Sequence, residues 1–307
     1  MEDLSKCHRH PRFAGKKQAS EQKGHKIIET MNYLNTIKND SRSTSWSSRW
    51  AVIVLVWLMG LAFGITFYAC YYPVFFHSDS AAIQVLAQAM ADEMSLLPHD
   101  FYYGNQLILF RANLFIALVL KLGLNGYTAY VIGSAISFSV FFLLAFLTLE
   151  TVFRHWVKSL FLTVLFFLPL GVNEAGYVLG EQSHLANVVF ILMIAVHAYR
   201  ACLHKEWRSL VLAASVVFLM AVEAPMRALF VLLPLALVIA ATGKARSSGK
   251  LSLALVIAFI VGYIGNRYLV TTHPVAIDLS DLAFSTSDRF FIRLGSILKE
   301  FVDNYIG

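Results

Sequence analysis

Residues 1–49 show no apolar periodicity, and at Trp50 the chain turns apolar and stays so to Tyr72. A helix crossing a hydrocarbon core needs about 20 apolar residues, so this stretch predicts a first membrane span. A polar, acidic loop follows over 73–106. Within it Ile83, Leu86, Ala87, Met90 and Met94 fall on one helical face, and Gln84, Gln88, Asp92 and Ser95 on the other. That pattern predicts an interfacial helix lying along the membrane surface and stopped by Pro98. Beyond residue 105 apolar segments recur near 107–122, 127–149, 156–171, 184–203, 209–223, 227–242 and 251–271. Several are too short for a perpendicular span, so some are buried, oblique or incomplete. The expected fold class is all-α: a polytopic transmembrane helical bundle with an outer-loop interfacial helix after the first span.

Composition narrows the class. Hydrophobic residues make up 58% of the chain and charged residues 14%, which excludes an ordinary soluble domain and makes the lipid bilayer the first partner. The net charge of +6 is concentrated in residues 1–49 and a few short loops, where it carries orientation rather than a nucleic-acid footprint. No nucleic-acid partner is expected. Arg154 with Lys158, Arg200 with Lys205 and Arg208, and Lys244 with Arg246 and Lys250 mark cytoplasmic loops, whereas Glu174 with Glu181, Glu223, and Asp278 with Asp281 mark the outer side. The N-terminus is thus expected in the cytoplasm, behind an uncleaved signal anchor. This alternation holds only if 107–122 does not cross fully, because otherwise Arg154 and Lys158 would fall outside. The expected organisation is a basic, mostly disordered tail over 1–49, a transmembrane module over 50–272, and an outer amphipathic segment over 273–307.

Candidate chemistry gathers on the outer side. Asp79 lies just past the first span, where a carboxylate faces water or a site; it either caps the following helix or works as a catalytic base. Arg227, in Glu223-Ala224-Pro225-Met226-Arg227, is a candidate for an anion, or else closes a span end by pairing with Glu223. Arg111 is a second cationic candidate. Glu174, Glu181, Gln182, Ser183, His184 and Asn187 form a further cluster, with His184 and Asn187 sharing a helix face; these two bind a polar substrate or help acid-base work, or the cluster is made of solvated loop and capping groups. Tyr102 and Tyr103 form a stacking platform for a substrate or an interfacial aromatic belt. Cys7, Cys70 and Cys202 fit neither a disulfide framework nor a spaced metal site, and Cys7 with His8 and His10 reads as a solvated tail. A divalent metal is therefore not indicated by the sequence, and any cofactor is unknown. There is no phosphate-binding Gly-rich loop with a Lys, no Gly-x-Ser-x-Gly elbow and no His-Glu-x-x-His helix. No internal repeat is visible, which disfavours a repeat-built transporter.

The order of a first span, an outer loop opening on Phe76-His77-Ser78-Asp79, a juxtamembrane helix and then Tyr103-Gly104-Asn105 resembles the N-terminal module of the GT-C superfamily of integral-membrane glycosyltransferases. Protein O-mannosyltransferases and lipid A aminoarabinose transferases belong to it. The resemblance extends through Lys121-Leu122-Gly123-Leu124-Asn125-Gly126 and covers about two-thirds of the chain as architecture. It implies a polyprenyl-phosphate-linked sugar donor, a glycan, lipid or protein acceptor, and transfer at the outer face of a bacterial inner (plasma) membrane. It also implies Asp79 as base, with Arg227, Arg111, Tyr102, Tyr103, Asn105, Glu181 and His184 on the substrates. Glu223-Ala224 stands where the class carries a Ser-Asp-like pair. Since such proteins continue with further spans or an outer domain, the resemblance also implies that this chain is a piece of a longer one. The other function classes open to the sequence are a transporter or flippase whose outer charges guide a substrate, and a non-catalytic assembly protein.

Overall fold

The computed structural model describes residues 46–99, 101–104, 107–169, 171, 174–180, 182, 184–241, 245–272 and 276–277. The expectations for the tail over 1–45 and for the segment beyond residue 277 lie outside these residues. The described chain is an all-α membrane bundle: α1 (Trp46–Thr66), α2 (Ser78–Glu93), α3 (Ala112–Lys121), α4 (Gly126–Phe153), α5 (Trp156–Phe167), α6 (Leu185–His204), α7 (Trp207–Glu223), α8 (Pro225–Ala241) and α9 (Ala245–Thr272). Its extended pairing, among the described residues, is one short parallel ladder between β1 (Tyr102–Gly104) and β2 (Ala276–Ile277).

Among the described residues, four helical segments are long and apolar enough to cross a membrane: Arg49–Val74, Gly126–Phe153, Leu185–His204 and Gly249–Thr272. They differ in what surrounds them. The apolar window of Gly126–Phe153 is 67% buried inside the protein and that of Gly249–Thr272 only 11%, so α4 is the core helix and α9 presents its length to lipid. The 10 residues of α3 rise about 15 Å, half a hydrocarbon core, so this helix does not cross. At 17 residues each, α7 and α8 stand at the lower limit of a span.

Without a hydrophobic drive between helices in lipid, contact depends on how closely backbones approach, and small residues set that distance. Gly64 of α1 faces Ala135 of α4 so closely that an added Cβ would lie 3.0 Å from the Ala135 Cα. Phe63 stacks on Phe138 one turn away, with centroids 5.3 Å apart. On another side of α4, Gly133 meets the backbone of Ile116 in α3. Gly262 of α9 likewise seats against Ala221 and the Phe218 carbonyl of α7, and Asn266 Nδ2 donates to the Val222 carbonyl at 2.8 Å.

The helix expected after the first span is α2, and Ile83, Leu86, Ala87 and Met90 form its buried face. That face is covered by α3 rather than by lipid alone: Asn113 of α3 donates to the sulfur of Met90 at 3.2 Å. Met94, expected on the same face, is 77% exposed, because the chain leaves the helix there in the left-handed conformation (φ 53°) and turns off the apolar stripe.

Gly133→Ala places a Cβ 2.5 Å from the Ile116 Cα, a backbone atom with no rotamer to yield. We expect it to lower stability by about 1–3 kcal/mol, read as a reduced thermal midpoint of the purified protein. Gly249→Ala, with nothing within 4 Å, is the control and should leave the midpoint unchanged or raised. Equal midpoints for the parent and Gly133→Ala would remove the close α3–α4 approach.

Candidate functional site

The C-terminal end of α1 does not simply stop. Pro73 cannot continue the helical ladder, and the chain loosens into a π-helical turn over Phe67–Tyr71 and a 3₁₀ turn over Tyr72–Val74. This change of pitch turns Tyr68 and Tyr72 inward, and both are fully buried. The Tyr68 hydroxyl donates to the Leu179 carbonyl and accepts from Gln182 Nε2 at 2.6 Å; the same amide nitrogen donates to the Ser134 carbonyl at 2.6 Å. Tyr127 donates to the Tyr68 carbonyl at 2.7 Å, and Tyr130 to the Gly180 carbonyl at 3.1 Å. The Tyr72 ring stacks on Tyr130 at 6.0 Å and leaves no room for a side chain at Gly180. The turn Glu174–Gly180 and Gln182 are thereby fastened to α1 and α4 by side-chain hydrogen bonds.

Tyr72 also shares a hydrogen bond with the hydroxyl of Ser80, which anchors the first turn of α2. Asp79 lies in that turn with its side chain exposed. The cap is His77, whose Nδ1 accepts the Asp79 N–H at 3.2 Å. Capping, one of the two roles open to Asp79, thus belongs to its neighbour. The Asp79 carboxylate has no hydrogen bond or ion pair among the described residues, although it still benefits from the positive end of the helix.

A second polar group lies where α3 begins and α7 ends. Arg111 Nε donates to Glu223 Oε1 at 2.8 Å, with side chains 3% and 5% exposed. The Leu107 N–H donates to the Glu223 carbonyl at 3.2 Å, so backbone and side chain of Glu223 both hold the segment leading into α3. The sequence suggested a Glu223–Arg227 pair at helical spacing, and the structure replaces it. The helix breaks at Ala224 (φ −147°, ψ 84°) before Pro225 opens α8, so residues 223 and 227 are not on one helix face.

Arg227 is nevertheless close by. Arg111 and Arg227 both act electrostatically on His184, just outside α6: its surroundings strip solvent from the imidazole, and the fields of Arg227 and then Arg111 oppose a further positive charge. These effects hold its pKa below the ordinary histidine value, so it is neutral at pH 7. Among the described residues, two guanidinium cations stand against one carboxylate, that of Glu223, which leaves one positive charge in excess. Arg111 Nη2 and Arg227 Nη1 are both buried with no hydrogen-bond partner among the described residues. Such N–H groups are costly unless an acceptor reaches them, and an oxyanion supplies acceptors of the required charge.

Arg111, Arg227 and His184, expected to bind substrate, are therefore brought together. Tyr103 is not a surface platform: it is 3% exposed, packs edge-on to Phe101 at 5.1 Å, and buries a hydroxyl that has no hydrogen-bond partner among the described residues. Asp79 joins the arginines by no contact among the described residues. Glu181, Asn105 and the side chain of Tyr102 lie outside the described residues. Tyr68, Tyr72 and Ser80 are not among the residues that the sequence singles out, since no motif or spacing links them. The Pro73 that forces the change of pitch was the available signal. Among the described residues no group of three or more His, Cys, Asp or Glu could hold a metal ion.

Removing Arg111 strands a buried carboxylate, so Arg111→Ala is expected to cost about 3–5 kcal/mol in denaturant unfolding. Arg111→Met combined with Glu223→Leu should recover most of that loss. Arg227→Met, which deletes a guanidinium that has no ion pair among the described residues, should stay within about 1 kcal/mol of the parent or above it. A loss for Arg227→Met as large as that for Arg111→Ala would mean that Arg227 has a structural counter-ion.

No protein-family model, curated protein or solved structure matches this chain, so the reading of the site rests on its own residues.

Proposed function

We propose that this chain is an integral membrane glycosyltransferase that moves a sugar from a polyprenyl-phosphate donor to an acceptor at the outer face of a bacterial plasma membrane. The observation that carries the reading is the pair of arginines, Arg111 and Arg227, whose buried N–H groups lack acceptors, and of whose two charges one is uncompensated, among the described residues. A phosphate at the end of a lipid meets both needs and arrives from the membrane that the four spans imply.

In this reading the acceptor hydroxyl attacks the anomeric carbon, its proton passes to Asp79, and the bond from that carbon to the phosphate oxygen breaks. Negative charge grows on the departing lipid phosphate, and Arg111 and Arg227 stabilise it. Asp79 suits the part of base because it is exposed and committed to no cap or ion pair among the described residues. Neutral His184 beside the arginines adds a hydrogen-bonding group without adding charge.

The assay follows sugar transfer from a polyprenyl-phosphate donor in membranes, with donor binding measured separately. Asp79→Asn keeps the size and removes the basicity; transfer should fall on the order of a hundredfold while donor binding and folding persist. Arg227→Ala should weaken donor binding more than Arg227→Lys, which retains the charge without the planar fork. Parental transfer by Asp79→Asn would remove the base. Parental donor binding by Arg227→Ala would remove the phosphate site. Donor binding without any transfer would move the chain to a flippase-like or non-catalytic class.

The same reading puts the N-terminus in the cytoplasm and α2 outside. Val85, 60% exposed on α2, is the reporter: with Cys7, Cys70 and Cys202 replaced by serine, Val85→Cys should react with an impermeant thiol reagent applied outside intact cells. Reaction only after the cytoplasmic side is opened would place Asp79 on the wrong face for this donor.

A further inference from the structure

Two tight turns at one end of the helices are built alike. α4 ends on Arg154 and α6 on Lys205, each in the left-handed conformation (φ 50° and φ 52°). Two residues later a tryptophan opens the next helix: Trp156 begins α5 and Trp207 begins α7. A second cation then follows, Lys158 in the first turn and Arg208 in the second. Glycine is the residue that accepts a left-handed helix end without steric cost, yet both turns carry a cation there.

The two turns lie side by side. Arg200, near the end of α6, donates from Nη1 to the Thr151 carbonyl near the end of α4. Its remaining nitrogens grip Glu206 in a bidentate pair, with Nε to Oε2 at 2.9 Å and Nη2 to Oε1 at 3.0 Å, and Ser209 also donates to Glu206 at 2.9 Å. The Arg200 and Glu206 charges thus cancel each other. Arg154, Lys158, Lys205 and Arg208 all remain exposed and in no ion pair among the described residues, with Glu150 as the nearby uncancelled carboxylate.

Apolar surface adjoins these charges. Val152, Phe153, Trp156 and Val157 at the first turn are 43–47% exposed, and Leu203 and Trp207 at the second are 39% and 68% exposed. The Arg208 guanidinium lies over the Trp207 ring, 5.9 Å from a centroid, so it shields one face of the indole while keeping its own charge in the interface. Cations paired with exposed tryptophan and aliphatic side chains suit an amphiphile, with an anionic head for the four cations and acyl chains for the apolar collar. An acidic protein or a free phosphate would leave that collar uncovered.

We propose that the paired turns 154–158 and 205–208 form a binding seat for an anionic phospholipid of the adjoining leaflet, separate from the arginine pair that faces the other end of α7. The phosphate meets Arg154, Lys158, Lys205 and Arg208, while the chains run along Trp156 and Trp207. The proposal is independent of the transferase reading.

The test uses the full chain reconstituted in bilayers of phosphatidylcholine and phosphatidylglycerol, with bromine on the acyl chains of one lipid at a time. Tryptophan quenching then reports which lipid adjoins the indoles. The signal from these two sites is isolated by subtracting the Trp156→Phe/Trp207→Phe variant. The parent should prefer brominated phosphatidylglycerol about five-fold, a preference that shrinks as salt is raised. Arg154→Gln/Lys158→Gln and Lys205→Gln/Arg208→Gln should each lower the preference, and the fourfold variant should abolish it. The double variants keep one basic turn each, so they report even if the fourfold variant does not insert. No preference in the parent, or a preference surviving in both double variants, overturns the seat. Displacement of the brominated lipid by inorganic phosphate at matched ionic strength overturns it as well, since the head alone would then suffice.

Discussion

The ion pair between Arg111 and Glu223 is the contact on which the polar architecture depends. It joins the start of α3 to the end of α7, residues far apart in sequence, in a place where neither charge reaches water. A buried pair of this kind contributes little net stability, because desolvation nearly cancels the attraction. Its value is geometric. With the Leu107 N–H on the Glu223 carbonyl, it fixes where α3 starts, and α3 in turn covers the apolar face of α2. One carboxylate holds one arginine in place; the second arginine, stationed nearby, makes no ion pair among the described residues.

The helices and their order were legible from hydrophobic periodicity because each segment carries its own signal: the first span, the amphipathic helix after it and the long apolar run from Gly126 all stand where the pattern places them. Even the exception was legible, since Arg111 and Lys121 at the ends of a short apolar stretch marked α3 as too brief to cross. What periodicity could not supply was which apolar face meets which. The α2 stripe reads equally well as a face for lipid or for protein, and only the position of α3 decides between them.

The site was legible as residue types and not as pairings. Glu223 and Arg227 are four apart, and spacing alone suggests an intrahelical pair; the break at Ala224, enforced by the proline after it, hands Glu223 to a residue more than a hundred positions earlier. Asp79 shows the same limitation. An acidic residue at a helix start is an ordinary cap, and nothing in the sequence reveals that His77 takes that task. Long-range choices of this sort depend on the shape of the whole bundle, which no local window contains.

The contact between Tyr72 and Ser80 has a mechanical consequence. It ties the first turn of α2 to the end of α1 across a connection of few residues, while Gly180 lies against the same ring so closely that a side chain there would not fit. The depth of Asp79 is therefore set by the protein and not by the lipid surface. In a thicker or thinner bilayer the α1 end, the tyrosine cluster and the carboxylate would ride up or down as one body. The distance a lipid headgroup must travel to reach Asp79 would then change with membrane thickness, making the bilayer itself a variable in whatever chemistry occurs there.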